Sequence, residues 1–236
     1  MQFISVKTSL SIAVKAIAIL TGGILTSCST ASQTQNPVPN STSSHTSAEN
    51  HMNHSNSTEH GTGSHHDMAM DLGPADTNYD LRFIDAMTLH HQGAVDMAKE
   101  AQQKSQRSEI KQLAADIINE QNKEIGQFKQ WRQAWYPQAG NELVAYGGAS
   151  KSTVPMSEQQ HRSMMMSQDL GAGTAEFDLR FINAMIPHHE GAIQMAKDAL
   201  AKSQRSEIKK LSQTIIDSQQ KEIEQMKQWQ ETWQKQ

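Results

Sequence analysis

Phe83-Ile84-Asp85-Ala86-Met87-Thr88-Leu89-His90-His91-Gln92-Gly93-Ala94-Val95-Asp96-Met97-Ala98-Lys99 decides how the rest of the chain is read. It returns 98 residues later, without a gap, as Phe181-Ile182-Asn183-Ala184-Met185-Ile186-Pro187-His188-His189-Glu190-Gly191-Ala192-Ile193-Gln194-Met195-Ala196-Lys197. At about 100° per residue, a helix places Asp80, Phe83, Ile84, Met87, His90, His91, Ala94, Met97 and Ala98 on one face. That face is mostly apolar and points to a core. Imidazoles and thioethers side by side among apolar groups are metal-ligand chemistry, with copper the first candidate.

Around this stretch, residues 79–136 and 177–234 are identical at about 35 of 58 aligned positions, which marks an internal repeat. Each repeat reads as two helices, the first from about 77 to 104 and the second from about 107 to 136. In the second, Ile110, Leu113, Ala114, Ile117, Gln121, Glu124, Ile125, Phe128, Trp131 and Trp135 form the apolar stripe. Between the helices, Ser105 or Ser108 offers an N-cap and Glu109 an acidic first turn. So short a connection makes each repeat an antiparallel hairpin.

Folding the hairpin about residue 106 brings His91 level with Gln121, and Met87 level with Ile125 near Glu124. The second repeat brings His189 level with Gln219, near Glu222. A buried carboxylate needs a partner, either a metal or an imidazole. One amphipathic hairpin does not bury its own face. The expected fold is therefore all-α, a four-helix bundle built from two tandem helical hairpins and preceded by a disordered tail. The alternative is a homodimer in which each hairpin pairs with another chain.

Outside the repeats, residues 1–28 read as a signal peptide. Lys7 and Lys15, a short apolar run and Leu25-Thr26-Ser27-Cys28 match a lipoprotein signal in which Cys28 is lipidated. This implies a membrane attachment through a lipid anchor facing the periplasm, with a lean toward the outer membrane. Residues 29–76 read as a disordered His/Met-rich tether. Its metal-ligand candidates are His51, Met52, His54, His65, His66 and Met68, with His45, His60 and Met70 alongside. Residues 137–176 read as a linker broken by Pro137, Gly140, Gly147 and Gly148. Ser157 caps a short helix there carrying His161, Met164, Met165 and Met166 as further candidates.

Bulk composition narrows the function. A net charge of −4 gives no nucleic-acid surface, and a single cysteine excludes an intrachain disulfide or a Cys-rich zinc site. In an oxidising envelope Met and His replace thiolates, which oxidation would consume. A ferritin-like di-metal oxidase needs Glu-x-x-His on two of its helices. Gln121-x-x-Glu124 lacks that histidine, so the chain reads as a binder rather than an enzyme. A structural bundle without metal is the remaining reading.

Phe-Ile-x-Ala-Met-x-x-His-His-x-Gly-Ala-x-x-Met-Ala-Lys followed by Gln-x-x-Glu-Ile resembles a secreted, helical, ferritin-like bacterial family long known only as a domain of unknown function. The His/Met tract, Asp71-Leu72-Gly73-Pro74-Ala75-Asp76 and Tyr79-Asp80-Leu81-Arg82 are similar to its cyanobacterial copper-binding, copper-resistance members. The resemblance implies periplasmic sequestration of Cu(I) and Cu(II), with a copper sensor or efflux protein as a partner. It implies ligands at Met87, His90, His91, Met97, Met185, His188, His189 and Met195. Glu124 and Glu222 join them from the layer argument above. Leu89 stands where the second repeat has the family's Pro187, and Phe128 where the second repeat has Met226. The first site is therefore expected to lack one kink and one thioether.

Overall fold

A computed structural model describes residues 71–233. In order these are α1 (Tyr79–Lys104), α2 (Ser108–Trp135), β1 (Val144–Tyr146), β2 (Thr153–Pro155), α3 (Glu158–Met165), α4 (Phe177–Lys202) and α5 (Ser206–Trp233). The four long helices are the two expected hairpins, α1–α2 and α4–α5. Cys28 and the tether candidates His51, Met52, His54, His65, His66 and Met68 lie outside the described residues. Among the described residues, no helix is long and apolar enough to cross a membrane.

The hairpins turn on Ser105 and Ser203, and neither caps the helix that follows. Ser105 closes α1, and its Oγ accepts from the Arg107 N–H at 3.1 Å; Ser203 does the same for Arg205. Both serines are buried. Ser108, the other cap candidate, is already helical, and the N-cap position belongs to Arg107. The hydroxyl is used to fold the turn instead of to satisfy the helix N-terminus.

α1 and α4 cross antiparallel about a pseudo-two-fold axis, so each repeat supplies half of each core. One core joins the C-terminal half of α1 and the start of α2 to the N-terminal half of α4 and the end of α5, including Met97, Ile117, Phe181, Met185 and Met226. The other is its mirror in chain order, including Phe83, Met87, Phe128, Met195 and Ile215. The ends are pinned in matching pairs. Arg107 lies over Trp233 and reaches Asp178 at 3.7 Å, while Arg205 lies over Trp135 and reaches Asp80 at 3.4 Å. Burying both apolar faces against each other supplies most of the stability.

The segments assigned to tether and linker hold more structure than composition suggests. Residues 71–76 are a packed turn. The fully buried Arg82 donates to the carbonyls of Leu72 (2.7 Å) and Pro74 (2.8 Å), to Asp76 and to Thr153. Arg180 repeats this with the carbonyls of Leu170 and Ala172. The linker contains an antiparallel pair, β1–β2, as well as α3. Its start is clamped by Arg132, which donates to both oxygens of the buried Asp85 and to the carbonyls of Gly140 and Glu142. Val144 N–H completes Asp85. At the matching positions of the second repeat, Asn183 and Gln230 make one neutral hydrogen bond instead. Pro187 lies within α4 on its exposed face, and the helix runs through it unbroken.

Candidate metal centre

The four bundle histidines meet at the crossing of α1 and α4. His90 and His188 face each other across the pseudo-two-fold, ring centroids 3.8 Å apart and tilted by 48°. One residue further round each helix, the next histidine turns toward its own hairpin partner. His91 Nε2 lies 2.7 Å from Glu124 Oε2, and His189 Nε2 lies 2.6 Å from Glu222 Oε2. The level-position argument puts Gln121 opposite His91; the observed partner is one turn further from the hairpin bend. The reason is the lean of side chains toward the N-terminus of their own helix. That lean carries His91 away from the bend and Glu124 back toward it.

A contact absent from the sequence reading completes the layer. The Met165 carbonyl, at the end of α3, lies 3.2 Å from His188 Nε2. It reaches that position because Gly93 has no side chain: a Cβ there would collide with the Met165 carbonyl and press on His188. The only hint in the sequence is a glycine in mid-helix, which costs stability unless something packs against it.

These imidazoles are buried and under-satisfied. His90, His91, His188 and His189 are at most 1% exposed. Both nitrogens of His90 and the Nδ1 atoms of His91, His188 and His189 have no hydrogen-bond partner, nor do Oε1 of Gln121 and Gln219. Burial, and then the neighbouring imidazoles, hold His90 well below its ordinary value. The same causes lower His188 to about 3, opposed by the carbonyl of Met165 and then that of His90. Neutral imidazole is the form that ligates metals. At the α2–α5 contact, burial first and then Glu222, Glu124 and Asp116 push Glu120 upward. Glu124 also lines a groove of about 560 Å³ between these helices, with Trp131 and Lys210.

Among the described residues, no three or more His, Cys, Asp or Glu side chains are grouped as a metal site by themselves. Met87 and Met195 lie in one core, and Met97 and Met185 in the other, all at most 1% exposed. The four ligand candidates of each repeat therefore do not stay together. Met87 and Met97 belong to different cores, each shared with a methionine of the other repeat. Met164 is buried, Met165 and Met166 are half-buried against the same core, and His161 is half-exposed on α3. Unpaired imidazole nitrogens near thioether-bearing cores fit a soft or borderline cation.

Sequence and structure comparisons give the same family. The domain of unknown function DUF305 matches residues 25–132 and 80–230. A structure described as CopM in the Cu(II)-bound form is 40% identical, with a TM-score of 0.53, covering 65% of this chain and 97% of that one. CopM in the Cu(I)-bound form is 38% identical at a TM-score of 0.50, covering 65% and 96%. A DUF305 fragment from Deinococcus radiodurans is 26% identical at a TM-score of 0.50, covering 67% and 99%. No curated protein matches the sequence. With the family matched over both hairpins and CopM aligned over nearly its whole length, the chain belongs to the DUF305 family.

Proposed function

We propose that this protein binds Cu(I) and Cu(II) through methionine and histidine at the bundle centre, sequesters them, and so contributes to copper resistance. The observation that carries the reading is the set of buried imidazole nitrogens without partners, repeated in both hairpins. Leaving a buried polar atom unpaired costs about 1–3 kcal/mol, and a bound cation removes that cost. Similarity to structures solved with Cu(II) and Cu(I) supports copper as the ion. The protein acts in this reading as a binder without a catalytic step. It sits in the envelope on a lipid anchor at Cys28, with the His/Met tract as an outer, weaker capture site. The test is a Cu(I) competition titration against a chromogenic chelator, paired with growth on copper. Replacing His90, His91, His188 and His189 together by Leu should abolish the tightest site and the tolerance. Retention of both refutes the reading.

A further inference from the structure

Glu124 and Glu222 are the carboxylates nearest the bundle histidines, and the sequence makes them ligands. The hydrogen bonds point to another role. We propose that Glu124 and Glu222 are positioning residues that hold the Nε2–H of His91 and His189, so that the ion binds through Nδ1. The Met165 carbonyl does the same for His188. This inference rests on the metal-binding reading above and specifies its donor atoms.

The strongest constraint is at His188. A carbonyl oxygen only accepts, so the 3.2 Å contact with Met165 requires a proton on His188 Nε2. In a neutral ring the lone pair then sits on Nδ1, which is buried and has no partner. With the carboxylates of Glu124 and Glu222 as acceptors, the contacts of 2.7 Å and 2.6 Å place the proton on Nε2 of His91 and His189. Their Nδ1 atoms are buried and unpartnered too. The opposite tautomer sets two acceptors against each other at each contact and strands an N–H on the buried side. A doubly protonated ring strands the same N–H. Three rings on two helices thus leave the same atom, Nδ1, buried and without a partner.

This is how carboxylates and carbonyls support metal-binding histidines from behind, fixing tautomer and ring orientation and raising basicity. Direct ligation through Glu124 Oε2 would take away the acceptor that orients His91. His90 differs, because both of its nitrogens are unpartnered. Of the four bundle histidines, it alone has both nitrogens available to ligate. Gly93 is part of the same device. By leaving room for the Met165 carbonyl, a glycine of the first repeat sets the tautomer of a histidine in the second.

The experiment is long-range ¹H–¹⁵N correlation on the apo full-length protein labelled in histidine, with resonances assigned by single histidine replacements. X-ray absorption of the Cu(I)-loaded protein accompanies it. The expected spectrum shows the Nε2–H tautomer at His91, His188 and His189. In Gly93→Ala only His188 should change. Glu124→Gln and Glu222→Gln keep an accepting oxygen, so they should keep the tautomer and lower Cu(I) affinity about 10-fold. Glu124→Leu and Glu222→Leu should release the tautomer and lose about 100-fold, the usual range for such supporting partners. The Cu(I) shell should contain nitrogen and sulfur only, in parent and variants alike. Nδ1–H at His91 and His189 with copper still bound overturns this inference alone. So does an oxygen in the shell that disappears in the Gln variants. Absence of Cu(I) binding in the parent overturns the functional reading and this one with it.

Discussion

Replacing His90 and His188 by Leu, singly and together, separates a binding site from a packed core through the sign of the stability change. Leucine is close to imidazole in bulk and carries no polar atom. In the apo protein His90→Leu removes two unpartnered buried nitrogens. His188→Leu removes one, but also strips the Met165 carbonyl of its donor. At about 1–3 kcal/mol for an unpaired buried polar group, His90→Leu should stabilise the apo protein and His188→Leu should be closer to neutral. For a chain of this size, each kcal/mol raises Tm by about 2–4 °C. Copper at 100 times its Kd stabilises the parent by about 2.7 kcal/mol, or roughly 5–11 °C. The double variant should lose most of that shift while melting at or above the parent's apo temperature. Calorimetry with a chelator and with Cu(I) reads both numbers. If the double variant melts several degrees lower when apo and keeps the full copper shift, the pair is ordinary packing and the reasoning fails.

Other perturbations read other parts of the molecule. Arg132→Gln leaves the buried Asp85 with only the Val144 N–H and should cost about 3–5 kcal/mol in urea unfolding. Asp85→Asn with Arg132→Gln copies the Asn183–Gln230 solution and should recover most of it; equal losses in the single and double variants refute the pairing argument. Acid should destabilise through the imidazoles. Their unfolded value is about 6.5, and folding lowers His188 to about 3 and His90 well below its ordinary value, so the unfolded chain takes up protons first as pH falls. Stability is then full above pH 6.5 and declines toward pH 3. The His90→Leu/His188→Leu variant should show a shallower decline, and parallel pH profiles would contradict this. Deleting residues 45–66 should lower the copper stoichiometry with the tightest Kd nearly unchanged, because a chain that must be ordered on binding ligates weakly. Loss of the tightest site on deletion would move the function to the tract.

The hairpins were legible because a 3.6-residue period and a 98-residue repeat are properties of the chain alone. The His91–Glu124 layer was legible only to within a turn, since level backbones do not mean facing side chains. The facing of His90 and His188 depends on how α1 crosses α4, and no spacing within one repeat encodes that. β1 and β2 have three residues each, too few for a period. They owe their place to Arg82, Asp85 and Arg132, whose partners are up to 71 residues away. The turn at 71–76 was hidden for the same reason. Its composition is that of a tether, and its order comes from a buried guanidinium collecting carbonyls.

Comparing the repeats within one molecule distinguishes scaffold from site. The ion pair of Asp85 and Arg132, which clamps the linker, becomes an amide pair of Asn183 and Gln230 in the second repeat. Phe128, edge-on to Phe83 and Trp131, becomes Met226 in the opposite core. These positions follow their local surroundings. His91 with Glu124 and His189 with Glu222 instead keep the same bond to within 0.1 Å (2.7 against 2.6 Å), and both pairs leave Nδ1 unpaired. Packing gives no reason to leave the same atoms unsatisfied twice, since an apolar pair of similar volume would be at least as stable. The proposed metal binding does give one. α3 breaks the symmetry at the centre: its Met165 carbonyl meets His188, while the buried His90 has no such partner. On the proposed metal-binding reading, an ion at this layer would meet one imidazole held by a hydrogen bond and one with neither nitrogen committed.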